Sequence, residues 1–189
     1  MRIALFAFAA GFLLTAFLVT PGAIYSLAVL GGVVAVVLVF ALVGLPPMIE
    51  RRLDQSDQRR RDALYLSLRM TSVDKMAGRE FEKYVAARMR KMGWTVRATP
   101  ATGDFGVDLI AARDDECIAV QCKRHTKPVG VAAVQQVVAG ARHHKCNGSA
   151  VVSNQEFTTA AQELARTHGC HLVGRSKLRT WRLWWSAPV

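Results

Sequence analysis

The sequence predicts an α/β fold in which a mixed sheet is flanked by helices and is preceded by a two-helix transmembrane hairpin. Two observations predict it. Beyond residue 76, segments with apolar residues at helical spacing alternate with short strand-like segments. At the N-terminus, residues 1–46 contain a single charged side chain, that of Arg2.

The N-terminal region consists of two apolar runs, residues 3–20 and 23–43, separated by a Pro-Gly pair. Each run is close to the roughly 20 residues that a helix needs to cross a bilayer core. We therefore expect a hairpin over residues 1–47 that contacts the membrane through residues 3–45. Basic residues flank the hairpin on both sides, which predicts a protein of the inner (cytoplasmic) membrane whose following domain faces the cytoplasm. The alternative is that the first run is a signal peptide.

Three further segments follow the hairpin. Residues 48–75 are rich in charge and in helix-forming residues, which predicts a charged linker helix, although its Arg59–Arg61 triplet could also contact phosphates or lipid headgroups. Residues 76–178 form the predicted globular domain. Residues 179–189 form an aromatic and basic tail that could dock on the core, touch the membrane interface or stack on bases.

The charge of the chain is concentrated outside the hairpin. All 14 acidic residues and all but one of the 25 Lys and Arg lie beyond Pro46, and the whole chain has a net charge of +11. This balance indicates a polyanionic partner, either nucleic acid or an anionic membrane surface.

The four cysteines are widely spaced and form no CxxC pair, which argues against a zinc knuckle or a dense disulfide framework. Most of them lie in apolar or strand-like runs, where cysteine usually behaves as a small buried hydrophobe. We therefore expect all four to be reduced residues in or near the core: Cys117, Cys122, Cys146 and Cys170.

The predicted elements of the globular domain follow the order α-β-β-β-α-β-α-β. Glycine at the end of the first and third helices is a typical helix boundary, and either Thr158 or Phe157 is expected near the cap of the third. The helices are expected at residues 77–92, 131–144 and 158–168, and the strands at 94–98, 107–112, 117–123, 149–153 and 170–173.

Polar side chains interrupt the second and third predicted strands. Alternate residues of a strand share a face, so Gln121 and Lys123 point the same way. A tight turn about the Asp114-Asp115 pair would set Asp108 opposite Gln121, with the paired side chains about 5 Å apart. An acid, an amide and an ammonium group would then converge on one patch of the sheet.

The first predicted helix supplies another acid. At about 100° per residue, Glu82 lies at the edge of the apolar stripe, whereas Glu80 lies toward solvent. We therefore expect Glu82 to lean over the sheet and Glu80 to remain a surface residue.

These residue types suit the hydrolysis of a phosphodiester bond. The reaction requires a divalent cation held by oxygen ligands, which Glu82, Asp108 and Gln121 could supply. Lys123 could orient the attacking water or stabilise charge on the phosphate. From spacing alone the alternative stays open that Asp108 and Lys123 form an ordinary cross-strand ion pair on a solvated face.

Longer stretches of the chain resemble a known family. The segments GREFEKYVAARMRKMGW, ATGDFGVDLIAARDDECIAVQCKRHTKPVGVAAVQQVVAG and SAVVSNQEFTTAAQELARTHGCHLV resemble the catalytic domain of Mrr-type restriction endonucleases, a branch of the PD-(D/E)xK nuclease superfamily. The resemblance covers about residues 77–178, and its specific part is GDxGVDL followed by VQCKR.

The resemblance implies cleavage of DNA with Mg²⁺ or Mn²⁺ on a restriction-endonuclease-like core. It implies Glu82, Asp108 and Gln121 as metal ligands and Lys123 as the fourth catalytic residue. Gln121 replaces the usual acid of the superfamily, which removes one negative charge from the metal site. Asp104 would help to position metal or substrate, or serve only in its turn.

Two basic clusters are expected to contact the DNA backbone, where phosphate contacts give affinity without sequence preference. They contribute the predicted DNA-binding residues Arg124, His125, Lys127, Arg142 and Lys145. The adjacent His143-His144 pair could instead be a solvated helix end. Because paired cuts in two strands commonly need two sites, we also expect a homodimer.

The sequence thus predicts a membrane-anchored, metal-dependent DNA endonuclease. Two other functions remain open at this point. One is a DNA-binding module on a membrane anchor that has lost cleavage, which the neutral Gln121 would allow. The other is a basic membrane protein that contacts anionic lipid.

Overall fold

The computed structural model describes residues 23–100 and 103–180, with the side chains of residues 23–30 and 40–51 left out of the description. By its contacts the chain divides into two compact units, Met1–Gln58 and Arg59–Val189. The second unit contains the sheet and the helices packed on it.

The helices and strands follow one another closely along the described chain. The helices are α1 (Ala23–Ser67), α2 (Met70–Val73), α3 (Gly78–Lys91), α4 (Val131–His143), α5 (Thr159–His168) and α6 (Arg175–Thr180). The strands are β1 (Thr95–Ala98), β2 (Leu109–Arg113), β3 (Glu116–Lys123), β4 (Gly148–Ser153) and β5 (His171–Val173).

The five strands form one mixed sheet in the order β1-β2-β3-β4-β5. The first three strands pair antiparallel, and β3, β4 and β5 pair parallel. The predicted mixed sheet flanked by helices is therefore confirmed. Its β2–β3 register is also the one that a tight turn at Asp114-Asp115 predicts, with Leu109 opposite Val120 and Arg113 opposite Glu116.

Two apolar clusters pack on the opposite faces of the sheet. One joins α3 to the sheet through residues such as Phe81 and Tyr84, both fully buried, and includes Ile118 and Val120 of β3. The other joins α4 and α5 to the sheet and includes Ala119 of β3. Alternate residues of β3 therefore face different helices, and both faces exclude water.

The helix boundaries in this unit follow local chemistry. The Thr158 hydroxyl accepts a hydrogen bond from the Ala161 N–H (3.2 Å) at the start of α5, and Gly169 adopts a left-handed conformation (φ +62°) at its end. Both features match the predicted cap and stop. Helix α6 was not predicted, and its Leu178 is fully buried in the α3-side cluster.

The predicted transmembrane hairpin is wrong. The run at residues 3–20 and its Pro-Gly pair lie outside the described residues. Helix α1 covers the second run and continues without a break through Pro46-Pro47 and into the charged segment, over 45 residues in all. Within residues 23–100 and 103–180, no helix combines the length and the apolar character needed to cross a bilayer. The cellular location stays a prediction.

The expectation of four reduced cysteines is also wrong for two of them. Cys117 and Cys146 form a disulfide, whereas Cys122 and Cys170 are free thiols. The reason lies in the parallel pairing of β3 with β4, which sets Ile118 opposite Gly148 and so brings Cys117 of β3 close to Cys146, two residues before β4. A separation of 29 residues gives no local sign of this contact.

Candidate active site

The candidate site lies at the end of the β2–β3 pair that is opposite to its turn. Asp108 stands just before β2, and its backbone N–H donates to the carbonyl of Val120 (2.9 Å). Its carboxylate Oδ2 accepts the backbone N–H of Cys122 (2.7 Å). The side chain therefore satisfies a backbone donor of β3 where the regular pairing with β2 ends, which fixes the acid at this end of the strands.

Helix α3 brings a second acid toward Asp108. Glu82 is half-buried, and its pKa is raised by its burial and then by the negative charge of Asp108. Glu80 is exposed, and its carboxylate accepts the Ala77 N–H (3.3 Å) at the start of the helix. The two acids thus differ as the helix geometry predicts.

Burial also raises the pKa of Asp108, and the N–H of Cys122 and the positive charge of Lys123 oppose that effect. Asp104 adds negative charge that raises the pKa of both Asp108 and Glu82. Three carboxyl groups and one ammonium group therefore lie within electrostatic range of one another. Such mutual repulsion is what a bound cation relieves.

The Gln121 side chain is almost fully buried, with 2% exposed. Its amide Nε2 donates to Oε1 of Gln136 on α4 (2.9 Å). Its own Oε1 is buried and accepts no hydrogen bond from any residue that the structure describes. A buried amide oxygen without a donor destabilises the folded state. It therefore marks a place where a bound ligand can supply the missing partner.

Asp108 and Gln121 lie where the regular pairing of β2 and β3 ends, since that pairing begins at Leu109 opposite Val120. The Asp108 carboxylate bonds to the β3 backbone, while the Gln121 amide bonds to α4. The neighbouring Val107 departs from the expected strand alternation, since it packs in the cluster on the α4 side rather than with Leu109.

The loop before Asp108 packs closely against both Gln121 and α4. Asp104 Oδ1 accepts the Gly106 N–H (3.1 Å), which is the turn role considered for it. Gly106 has φ +76°, and a Cβ atom there would lie 2.8 Å from Gln136 Cβ and 3.0 Å from Gln121 Nε2. Glycine is therefore required at this position by both backbone conformation and space.

The residues predicted to contact DNA differ in their surroundings. Arg124 is half-buried, and its Nε is buried without a hydrogen-bond partner among the described residues. The backbone N–H of His125 donates to Asn154 Oδ1 (2.8 Å), and the residue is exposed. The other three predicted cations are all exposed: Lys127, Arg142 and Lys145.

Two features of the site were not fully predicted from the sequence. Gln136 accepts the hydrogen bond of the Gln121 amide, and the only sequence signal for this role is its position next to the buried residues Val134 and Val137 of α4. Asp104 contributes charge to the site besides its turn role. Among the described residues, no three His, Cys, Asp or Glu side chains form a group that could hold a metal ion alone.

Two solved structures resemble the chain. One is described as "Protein of Unknown Function AF1548", with 24% identity, a TM-score of 0.43, and coverage of 49% of this chain and 55% of that one. The other is "MspJI Restriction Endonuclease in Complex with 27-mer Oligonucleotide", with 19% identity, a TM-score of 0.38, and coverage of 66% and 30%. The chain thus spans about half of the first structure and less of the second.

The search of curated proteins found no match. A family model described as "Restriction endonuclease" (Mrr_cat) matches residues 73–182, which is more than half of the 189 residues. The matched segment contains the whole five-stranded sheet and every residue of the site described above. The chain therefore belongs to the Mrr_cat family of restriction endonuclease domains, of the PD-(D/E)xK type.

Proposed function

We propose that this protein is a DNA endonuclease that hydrolyses phosphodiester bonds with the help of a divalent cation, Mg²⁺ or Mn²⁺. The observation that carries the proposal is a set of polar side chains at one strand end whose charge or hydrogen-bonding capacity is not satisfied by their neighbours. Gln121 Oε1 is buried without a donor, and the pKa values of Asp108 and Glu82 are raised by burial and by neighbouring negative charge.

The residues present fit a hard divalent cation. Such ions prefer carboxylate and carbonyl oxygens, which Asp108, Glu82 and the free amide oxygen of Gln121 offer. When bound, the ion supplies positive charge and lowers the pKa of a coordinated water. With one neutral ligand in place of an acid, the site contributes less negative charge than a set of three carboxylates.

Lys123 is assigned a role toward the substrate. Its positive charge acts on Asp108 from the end of β3. An ammonium group there can hold a water molecule by hydrogen bonding or stabilise the charge that develops on the phosphate. Gln136 is a positioning residue, since it acts only through the amide of Gln121.

Arg124 and the exposed cations are assigned to the DNA backbone. The guanidinium of Arg124 follows Lys123 directly, and its buried Nε has no described partner, so it is available to a phosphate oxygen at the site. His125, Lys127, Arg142 and Lys145 would add longer-range attraction that weakens as salt rises.

The test is conversion of supercoiled plasmid by the purified full-length chain with Mg²⁺, with Mn²⁺, or with a chelator. We expect nicked or linear products with either metal and none with the chelator. The matched pair of variants is Glu82→Gln and Glu80→Gln, because both acids lie on α3 but only Glu82 faces Asp108. Equal cleavage by both variants would remove Glu82 from the site.

A second function, DNA binding without cleavage, is favoured by one specific observation. Gln121 is neutral, and no group of three metal-binding acids, histidines or cysteines exists among the described residues. In this case the chain would shift a DNA fragment in a gel in a salt-dependent manner but would leave plasmid intact with every divalent metal. The homodimer that paired cleavage would need stays a prediction.

A further inference from the structure

An exposed aromatic surface lies beside the proposed site. We call it the aromatic ledge, and it consists of Phe105, His143 and His144. The Phe105 side chain is 56% exposed, and its ring centroid lies 4.0 Å from that of His143. The rings of His143 and His144 meet edge to face at 5.0 Å.

The ledge is held in place by contacts between its loop and the end of α4. The His144 Nε2 lies within hydrogen-bond distance of the Asp104 carbonyl oxygen (3.2 Å). Gly140 allows α4 to approach the loop closely, because a Cβ atom at this position would lie 2.6 Å from the Phe105 carbonyl oxygen. The Phe105 ring is therefore presented to solvent from a fixed backbone.

Neither the backbone nor the exposure of Phe105 favours stability. Its φ is +51°, in the left-handed region that residues other than glycine, asparagine and aspartate rarely adopt. An exposed phenylalanine ring also gains little from the hydrophobic effect. A residue of this kind at the surface of a site is better explained by contact with a ligand than by folding.

The position of the ledge identifies the ligand. Phe105 follows Asp104, whose charge acts on Glu82 and Asp108, and it precedes Asp108 by three residues. Exposed Arg142 and Lys145 flank the two histidines along the chain. An aromatic face between cations and a phosphate-cleaving site matches a nucleotide, since the cations suit its phosphates and the ring suits its base.

We propose that Phe105, backed by His143, stacks on an unstacked base of the bound DNA next to the cleaved phosphate. The inference rests on the proposed function and extends it, because it names the preferred substrate as DNA with a locally unpaired base. A base that is mismatched costs less to unstack than a paired one. The stack is independent of base identity, since every base has a π face.

The experiment uses the full-length chain carrying Lys123→Ala, so that DNA is bound without being cut. The probes are two duplexes that contain one 2-aminopurine, either paired or mismatched, and affinity is followed by anisotropy of a separate end label. We expect about tenfold tighter binding of the mismatched duplex and a decrease in 2-aminopurine fluorescence on binding.

Phe105→Ala should remove both the preference and the fluorescence change. Phe105→Leu keeps an apolar side chain without the ring and should behave like the alanine variant, whereas Phe105→Tyr should retain both. Val131→Ala, at an exposed apolar residue of α4 outside the ledge, is the matched control and should change neither.

Unchanged preference and fluorescence in Phe105→Ala would overturn the inference, and so would equal binding of the two duplexes by the parent chain. Failure of the proposed function is distinguishable, because the chain with Lys123 intact would then leave plasmid uncut while the fluorescence change persisted.

Discussion

The polar side chains at the two ends of the β2–β3 hairpin differ in whether solvent and partners satisfy them. At the turn, Arg113 pairs with Glu116 at 3.2 Å, and its guanidinium lies 4.4 Å from the centre of the Trp94 ring. Both charged side chains are partly exposed, 33% and 45% respectively. At the other end, Asp108 is partly buried and the Gln121 Oε1 is buried without a donor.

This difference indicates that the charged pair at the turn has a structural role, whereas the polar groups at the open end are arranged for a ligand. The turn places its charges where water and a partner satisfy them, so an ion pair there contributes little, typically about 0–1 kcal/mol. The open end keeps polar groups where water does not compensate them, which disfavours the folded state. A fold tolerates this where a bound ligand supplies the missing partner, and the open end is where we propose the site.

The largest expected effect is on cleavage at the open end. Lys123→Ala should lower the rate of plasmid cleavage by roughly 100- to 1000-fold, as is usual when a charge-stabilising group is removed from an active site. DNA binding should change far less, because several other cations remain. Single-turnover cleavage with saturating protein separates the two effects, and a defect confined to binding would contradict the role assigned to Lys123.

The next effect concerns the Gln121 amide. Gln136→Ala removes its partner and should weaken the affinity for Mn²⁺ by about 10-fold, a common cost of losing a group that orients a metal ligand. Gln136→Glu keeps an acceptor for Nε2 and should restore most of that affinity. Calorimetric titration with Mn²⁺ alone measures the affinity for the metal independently of cleavage activity. Equal affinities for all three proteins would show that Gln136 does not position a ligand.

A third effect concerns stability and pH. The folded-state pKa of Asp108 is raised above 3.8, mainly by burial, so the folded state favours the protonated acid. The associated stability is present below pH 3.8 and is lost as the pH rises through the folded-state pKa. Asp108→Asn keeps an acceptor for the Cys122 N–H and removes the charge, so it should raise the Tm of the metal-free protein at neutral pH.

Thermal unfolding at several pH values checks this sign. The gain in Tm from Asp108→Asn should shrink as the pH falls toward 3.8 and should be reversed by saturating Mg²⁺, which stabilises only the protein with the acid. If Asp108→Asn instead lowered the Tm at neutral pH without metal, the Asp108 carboxylate would already be compensated by its neighbours, and the predicted difference between the two ends would be wrong.

The smallest effect is expected at the turn. Glu116→Gln breaks the exposed pair with Arg113 and should change the free energy of unfolding by less than about 1 kcal/mol, with no change in cleavage. Urea denaturation and the plasmid assay measure the two quantities. A loss well above about 1 kcal/mol, or a loss of cleavage, would contradict the minor role assigned to the turn.

The sequence predicts those features that depend on near neighbours along the chain. The hairpin register follows from a tight turn at Asp114-Asp115, and the facing of Glu82 and Glu80 follows from the helical repeat of α3. The cap and stop of α5 follow in the same way, because Thr158 and Gly169 act within one helical turn.

The features that could not be predicted depend on contacts between distant segments. Gln121 bonds to Gln136, 15 residues away on a helix that follows the strand, and nothing near Gln121 in the sequence points to this partner. The disulfide of Cys117 with Cys146 requires the parallel register of β3 and β4. The transmembrane prediction was made from hydropathy alone, and no helix among the described residues is long and apolar enough to match it.

The most direct test of the central claim compares the two ends of the hairpin in one assay. Plasmid cleavage with Mg²⁺ is measured for the full-length chain and for Asp108→Asn and Glu116→Gln, each of which removes one negative charge from the same pair of strands. The account predicts cleavage by the parent chain and by Glu116→Gln, and none by Asp108→Asn. Undiminished cleavage by Asp108→Asn would contradict it.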